Sequence, residues 1–405
     1  MAVIKPFAAL RPDPAVAGRI CELPYDVVST EEARCLAENN PLSFFHVSKP
    51  EIDLPPGTPV AAPEVYATGR RRFEQLQTAG HLRRDAAPGF YLYRQQMGAH
   101  SQTGLVALAS CEEYRRGIVR KHELTRPDKE ADRARHIEVL AAQTGPAFLV
   151  YRAVPALDRF VQAHSARPPA VDFVAPDGVR HTAWVVAEPG DQAFLVREFA
   201  AVPILYIADG HHRSAAAARV AQQRGGAGGS EGFLAVIFPH PQTQILPYHR
   251  VVKDLAGLAA GTFLERLRAV GTLDPRGEWQ PRAKHELGLY LAGRWHSLRF
   301  HPALTDRGEP GAQLDVALLQ QHVLGPLLGI DDPRTSQRLQ FVGGIRGTAE
   351  LERVVDAGEF AAAFSLHPTG IEDLMRIADE GGIMPPKSTW FEPKLRDGLF
   401  CHCLA

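Results

Sequence analysis

Residues 205–220 read LYIADGHHRSAAAARV: an apolar strand, an Asp-Gly turn and an alanine-rich helix within sixteen residues. No other stretch constrains the fold as tightly. The strand is apolar enough to be buried, and alanines 215–218 let a helix approach its neighbours closely. The turn then places Asp209, Gly210, His211, His212, Arg213 and Ser214 at the helix start. First-turn N–H groups and the helix dipole make such a start a site for an anion. Arg213 adds a bidentate phosphate donor, yet a cation in the first turn opposes the dipole. An anion between them removes that conflict. Two other readings stand beside it. One is a plain Asp-Gly turn with exposed histidines. The other is a metal site using His211, His212 and Asp209, although adjacent histidines diverge and lack ligand spacing. Phosphate binding is the favoured reading, with Asp209 as a magnesium ligand or catalytic group.

Two further segments carry chemistry. VRKHELTRPDKEADRARHIEVL, residues 119–140, offers Glu123 as first choice of general base, His122 behind it, and Lys121, Arg126 and Lys129 as phosphate contacts. Thr125 with Pro127 and Asp128 reads as a capped helix start. Helical spacing puts Lys129, Asp132, Arg133 and His136 on one face and Ala134, Ile137 and Ala141 on the other. A solvated, salt-bridged polar face is as well supported as a functional one. IMPPKSTWFEPKLRDGLF, residues 383–400, presents Lys387, Ser388 and Thr389 after two prolines, with Lys394 following. It is not a Walker loop, which needs GxxxxGK[ST]. The chain has only eight lysines, and two fall in each of these segments. A lysine is a compact point charge suited to phosphate work. Lesser candidates are Tyr25, Asp26, Ser43, His46, Lys49, Glu51, Asp53 and the QTG at 102–104. His46, in an apolar run, reads better as a satisfied core residue than as a catalyst.

The 405 residues balance 45 Lys and Arg against 46 Asp and Glu. A net charge near zero disfavours nucleic acid as a partner. No apolar run approaches the roughly 18–20 residues that span a bilayer, and the N-terminus lacks the apolar core of a signal peptide. A cytoplasmic location is expected. Five scattered cysteines do not form a disulfide framework, and the CHC at 401–403 reads as alternating residues of a terminal strand. Hairpins are expected in residues 89–110, 171–186, 232–252 and 285–300, with helices between them. The fold class expected is therefore α+β with mixed, mostly antiparallel sheets. Residues 224–233 read as a mobile glycine-rich loop. The expected division is a main domain over 1–255 and a C-terminal α+β domain over 256–405 that contributes to the site.

KPFAALRP, PYDVVS, NPLSFFHVSKPEIDLP, SQTGLVA, KHELTRPDKEADR, YIADGHHRSAAA, LPYHRVVKDL and MPPKSTWFEPKL together resemble the bacterial and archaeal family known as domain of unknown function 1015 over the whole chain. LYIADGHHRSAAA also resembles, at greater distance, the strand–turn–helix signature of the ParB/sulfiredoxin-like superfamily, and VIKPFAALRPDP resembles its opening strand and proline turn. That superfamily includes a CTP-binding switch, an ATP-using sulfinate reductase and free-serine kinases. The resemblance implies a ParB/sulfiredoxin-like core elaborated by a second α+β unit, with Gly210, His211, His212 and Arg213 on phosphates. It implies ATP or ADP with magnesium, a small phosphorylated substrate and a homodimer. Sulfiredoxin's reactive Cys has no counterpart before His211, which disfavours sulfinate chemistry. The leading expectation is phosphoryl transfer between a nucleotide and a small metabolite, with serine or phosphoserine favoured. The alternatives are a nucleotide-binding regulatory switch and a metal-dependent hydrolase.

Overall fold

A computed structural model describes residues 1–275, 280–305 and 308–405. The chain separates into two compact units, Met1–Thr243 with Pro393–Ala405, and Gln244–Glu392. The sequence expectation placed the division at 255/256 and had the C-terminal part contribute to the site; in the structure the last thirteen residues belong to the first unit.

The first unit is built on a nine-stranded sheet. Its strands run in the order Val119–Arg120, Leu205–Asp209, Ala147–Tyr151, Gly232–Pro239, His100–Ser110, Phe90–Met97, Arg180–Val186 and Val171–Val174, with Ile4–Lys5 joining His100–Ser110. Two pairings are parallel, Leu205–Asp209 with Val119–Arg120 and Gly232–Pro239 with Ala147–Tyr151; the rest are antiparallel. The expected α+β class with mixed, mostly antiparallel pairing is what the chain adopts. The central strands are buried on both faces, as their near-continuous apolar runs require.

Helix His211–Gln223 packs against helix Pro127–Leu140. Ala215, Ala216, Ala217 and Ala218 are all buried. Four consecutive positions cover every side of a helix, so this one is enclosed rather than amphipathic. Only small side chains permit that. Helix Thr30–Ala37 opens with the capping box that Ser29 and Glu32 encode, and helix Pro63–Thr78 buries Val65, Phe73 and Leu76 as its spacing predicts.

The second unit has its own six-stranded antiparallel sheet, ordered Gly271–Asp274, Arg294–Phe300, Glu286–Leu291, Ala362–Leu366, Tyr248–Val252 and Leu339–Gly343. Helix Asp315–Leu319, a wider turn Gln320–Leu324 and helix Gly325–Leu328 carry the apolar run expected to pack in a core, and Leu318, Leu319, Val323, Leu324 and Leu328 are buried. Among the described residues no helix is long and apolar enough to cross a membrane.

Four local expectations are corrected. Residues 232–252 are not a hairpin: Gly232–Pro239 is a strand of the first unit and Tyr248–Val252 of the second. The QTG at 102–104, readable from the sequence as a hairpin turn or an anion-facing loop, lies within strand His100–Ser110, whose hairpin closes at Gly98-Ala99. The glycine-rich 224–233 loop is pinned by the C-terminus, where Ala405 N–H donates to Gly228 O at 3.0 Å and the His402 ring bonds Gly229 O. Helix Pro127–Leu140 is preceded by Arg126 rather than capped by Thr125, whose hydroxyl donates to Glu130. The CHC segment does form the end strand, His402–Cys403, paired with Ala142–Gln143.

Gly104 lies where a Cβ would sit 2.7 Å from Val236 Cγ1 and 2.9 Å from the Phe238 ring. Gly104→Ala is expected to lower unfolding free energy by about 1–3 kcal/mol, the range for overpacking a core. A urea midpoint unchanged from wild type would contradict this packing.

Candidate functional site

The site is built where strand Leu205–Asp209 meets helix His211–Gln223. Gly210 bridges them at φ +90°, a conformation glycine adopts without strain. A Cβ there would also meet Ala147 Cα at 3.1 Å and Arg213 Nε at 3.2 Å. Asp209 Oδ1 accepts the Gly210 N–H at 2.8 Å, and its Oδ2 accepts from Lys394 Nζ at 3.3 Å. Arg213 Nη2 lies 3.8 Å from Asp26 Oδ2 and 3.9 Å from Asp209 Oδ2, while Nη1 donates to Pro146 O. Burial alone would raise the Asp209 carboxyl, but Lys394, Arg213 and the Gly210 N–H together hold it below the ordinary carboxylate range. Burial alone would lower Arg213, but Asp26, Asp209 and Asp397 keep it firmly charged.

The two histidines of the turn diverge. His211 is buried, with its ring edge-on to His122 at a centroid distance of 4.5 Å and its Nδ1 4.0 Å from Glu123 Oε2. His212 instead accepts the Arg126 N–H at 3.1 Å. Asp209 and His212 therefore do not join His211 in the set expected for a metal pair. The groups that converge on His211 are His122 and Glu123. Burial pushes the His122 imidazole down to about 4, against the pull of Ile207 and Asp209, and drives His211 well below its usual value. Both rings are neutral at pH 7. Glu123 is the exposed member of the trio, with 42% of its side chain open to solvent. Ser214 spends its hydroxyl on Gly210 O within the helix.

The charged face of helix Pro127–Leu140 divides. Lys129 is exposed, and Arg126 pairs with Asp128 at the surface. Lys121 is exposed too, its ammonium 4.7 Å from the Tyr114 ring centroid. Asp132, Arg133 and His136 turn inward. Arg133 pairs with Asp132 at 2.7 Å and stacks 4.0 Å over the Tyr25 ring, and His136 bonds Val47 O. The N-terminal segment buries this part of the face, so the solvated reading fails there.

Lys387, Ser388 and Thr389 belong to the second unit. Ser388 donates to Pro385 O, and Lys387 takes a positive φ of 56° with its ammonium 5.7 Å from the Tyr248 ring. His46 is satisfied at both nitrogens, by Asp53 at 2.7 Å and Asn40 O at 3.1 Å, as a structural residue would be. Ser43 donates to Glu22, and Lys49 pairs with Glu51.

The sequence reading missed a cavity of about 40 Å³ beside Arg213, lined by Tyr25, Ser48, Arg133, Thr144, Gly145 and Asp397 among others. Ser48 Oγ, Arg213 Nε and Asp397 Oδ1 are buried there without a hydrogen-bond partner among the described residues. The unpartnered polar atoms and the volume suit about three waters. A Cβ at Gly145 would fall on Asp397 Oδ1. The one sequence signal was an aspartate in the last apolar segment, KLRDGLF.

The model of the family described as "Protein of unknown function (DUF1015)" matches residues 4–317. No curated protein matches the chain. Among solved structures, a free serine kinase in complex with AMP is similar at 13% identity, covering 71% of this chain and 86% of that one, with a TM-score of 0.37. A conserved hypothetical protein from Pyrococcus furiosus is similar at 14% identity, covering 72% and 93%, with a TM-score of 0.36. SbnI with a C-terminal truncation, from Staphylococcus aureus, is similar at 12% identity, covering 72% and 85%, with a TM-score of 0.39.

Desolvation raises the Asp397 carboxyl to about 7, against the pull of Arg213. The native state thus keeps a proton that the unfolded chain releases near pH 4. Native stability falls as pH rises across that window and is level above it. Asp397→Asn removes this dependence, so the variant should gain on wild type between pH 5 and pH 8 in urea midpoint. A difference independent of pH would contradict the assignment.

Proposed function

The chain belongs to the DUF1015 family, which is defined without a reaction, and from the site itself we propose that it transfers a phosphoryl group between a nucleotide and a small hydroxylated metabolite. The observation that carries this reading is the gathering of Arg213 and Lys394, both nine-tenths buried, around Asp209 at one helix start. Phosphoryl transfer needs positioning and charge neutralisation more than covalent chemistry from the protein. Two fixed cations beside first-turn amides answer that need.

The acid–base roles follow from environment. Asp209 is held ionised and has both oxygens engaged, which makes it a weak base and a positioning group for the two cations. Glu123 reaches solvent and borders His211, so it is the carboxylate able to take the proton of an entering hydroxyl. The nucleotide is ATP or ADP and brings magnesium on its phosphates. Serine is the favoured acceptor, by the resemblance of the ADGHHR segment to the free-serine kinases of the ParB/sulfiredoxin-like superfamily. A homodimer is proposed as the assembly.

Wild type should be stabilised in a thermal-shift screen by ATP or ADP, and Arg213→Ala should lose that shift. Because Arg213 is buried among acids, Glu123→Gln supplies an independent arm. It should keep the nucleotide shift and lose about 100-fold or more in turnover with serine, the scale of a general base. No shift by any nucleotide or by phosphoserine would end the proposal.

A further inference from the structure

We propose that His122, Glu123 and His211 form a binding site for one divalent transition-metal ion of the zinc and cobalt class. Ligand atoms from the three side chains all lie within 4.8 Å of one another. His122 Nδ1 and His211 Nε2 are buried and have no hydrogen-bond partner among the described residues. A buried polar atom left unmatched costs about 1–3 kcal/mol, and here two are left within one cluster. The other ring nitrogen of His122 is anchored on the Ile207 backbone carbonyl. That is the outer-shell arrangement that fixes the tautomer and orientation of metal-binding histidines.

The donor set selects the ion. Two imidazoles and one carboxylate suit zinc, cobalt, iron or manganese, whereas magnesium prefers an all-oxygen set. Three protein ligands leave a fourth position open, the pattern of catalytic rather than structural zinc. A tetrahedral ion with ligands at about 2.1 Å separates them by about 3.4 Å, so side-chain rotations of about an ångström close the set. The half-exposed Glu123 gives the ion an entry path between two buried rings.

The inference deepens the phosphoryl-transfer reading, and only its catalytic meaning rests on that reading. Untagged full-length protein, stripped with EDTA and dialysed, should bind one equivalent of Co²⁺ with a visible ligand-field band, and Zn²⁺ should displace it. His122→Ala and His211→Ala should each weaken binding by more than about 100-fold, beyond the 10–100-fold cost of losing an outer-shell partner. His212→Ala should leave metal affinity unchanged. The wild-type band and stoichiometry require no variant, so a misfolded mutant does not shelter the proposal. Absence of saturable one-equivalent binding would overturn it, as would a loss caused by His212→Ala with His122→Ala silent. Nucleotide shifts recorded on metal-stripped protein with magnesium added back and no transition metal present separate the two claims. Metal binding without a nucleotide shift supports this site and ends the transferase reading; a shift without metal binding does the reverse.

Discussion

The capture of the Asp209 carboxylate by Lys394 is the interaction that ties the returning C-terminus to the start of helix His211–Gln223. Their positions are 185 residues apart in the chain. The contact exists because the last thirteen residues return to the first unit and are pinned along their length. Gln95 donates to Lys394 O, Arg396 bonds His181 Nε2 and pairs with Asp177, Asp397 exchanges backbone bonds with Glu22, and Cys401 does so with Leu10. A buried ion pair contributes little net stability when geometry is ordinary, and breaking one side of it costs about 3–5 kcal/mol. Such a cluster is weak evidence for stability. What it supplies is position, with two cations fixed beside a helix start before any ligand arrives.

The helix that carries the site is held by a different means. Its alanines allow the sheet on one side and helix Pro127–Leu140 on another to approach its backbone. This packing brings residues 119–140 to the turn. Val119–Arg120 pairs in parallel with Leu205–Asp209, and the chain leaves that strand directly into Lys121, His122 and Glu123. The neighbourhood of His122 and His211 is thus fixed by strand register, and the neighbourhood of Arg126 and His212 by the next turn of chain.

Local chemistry was legible in the sequence, and long-range assembly was not. The strand, the Asp-Gly turn and the helix at 205–220 follow from periodicity and turn residues alone, as does the Ser29 capping box. The burial of Asp132, Arg133 and His136 was hidden because a polar helical face reads the same against water as against a polar segment from elsewhere. The 232–252 segment misled because two apolar runs joined by prolines look like a hairpin whether or not they pair with each other. Asp397 carried no signal beyond its apolar surroundings, since its meaning depends on Gly145 and Arg213 facing one cavity.

Helix geometry explains why one turn presents two different sets of side chains. At about 100° per residue, His211 and Arg213 project about 200° apart. Arg213 lies toward Gly145 and Pro146, with Asp26 and Asp209 beside it. His211 lies toward His122 and Glu123. The cationic side and the imidazole–carboxylate side therefore occupy opposite flanks of one helix start. Any side chain at position 210 would meet Ala147 Cα and Arg213 Nε, so glycine permits this close approach as well as making the turn. The two histidines that catch the eye then have separate work. His211 belongs to the buried cluster, and His212 ties the start of the neighbouring helix to this one through Arg126.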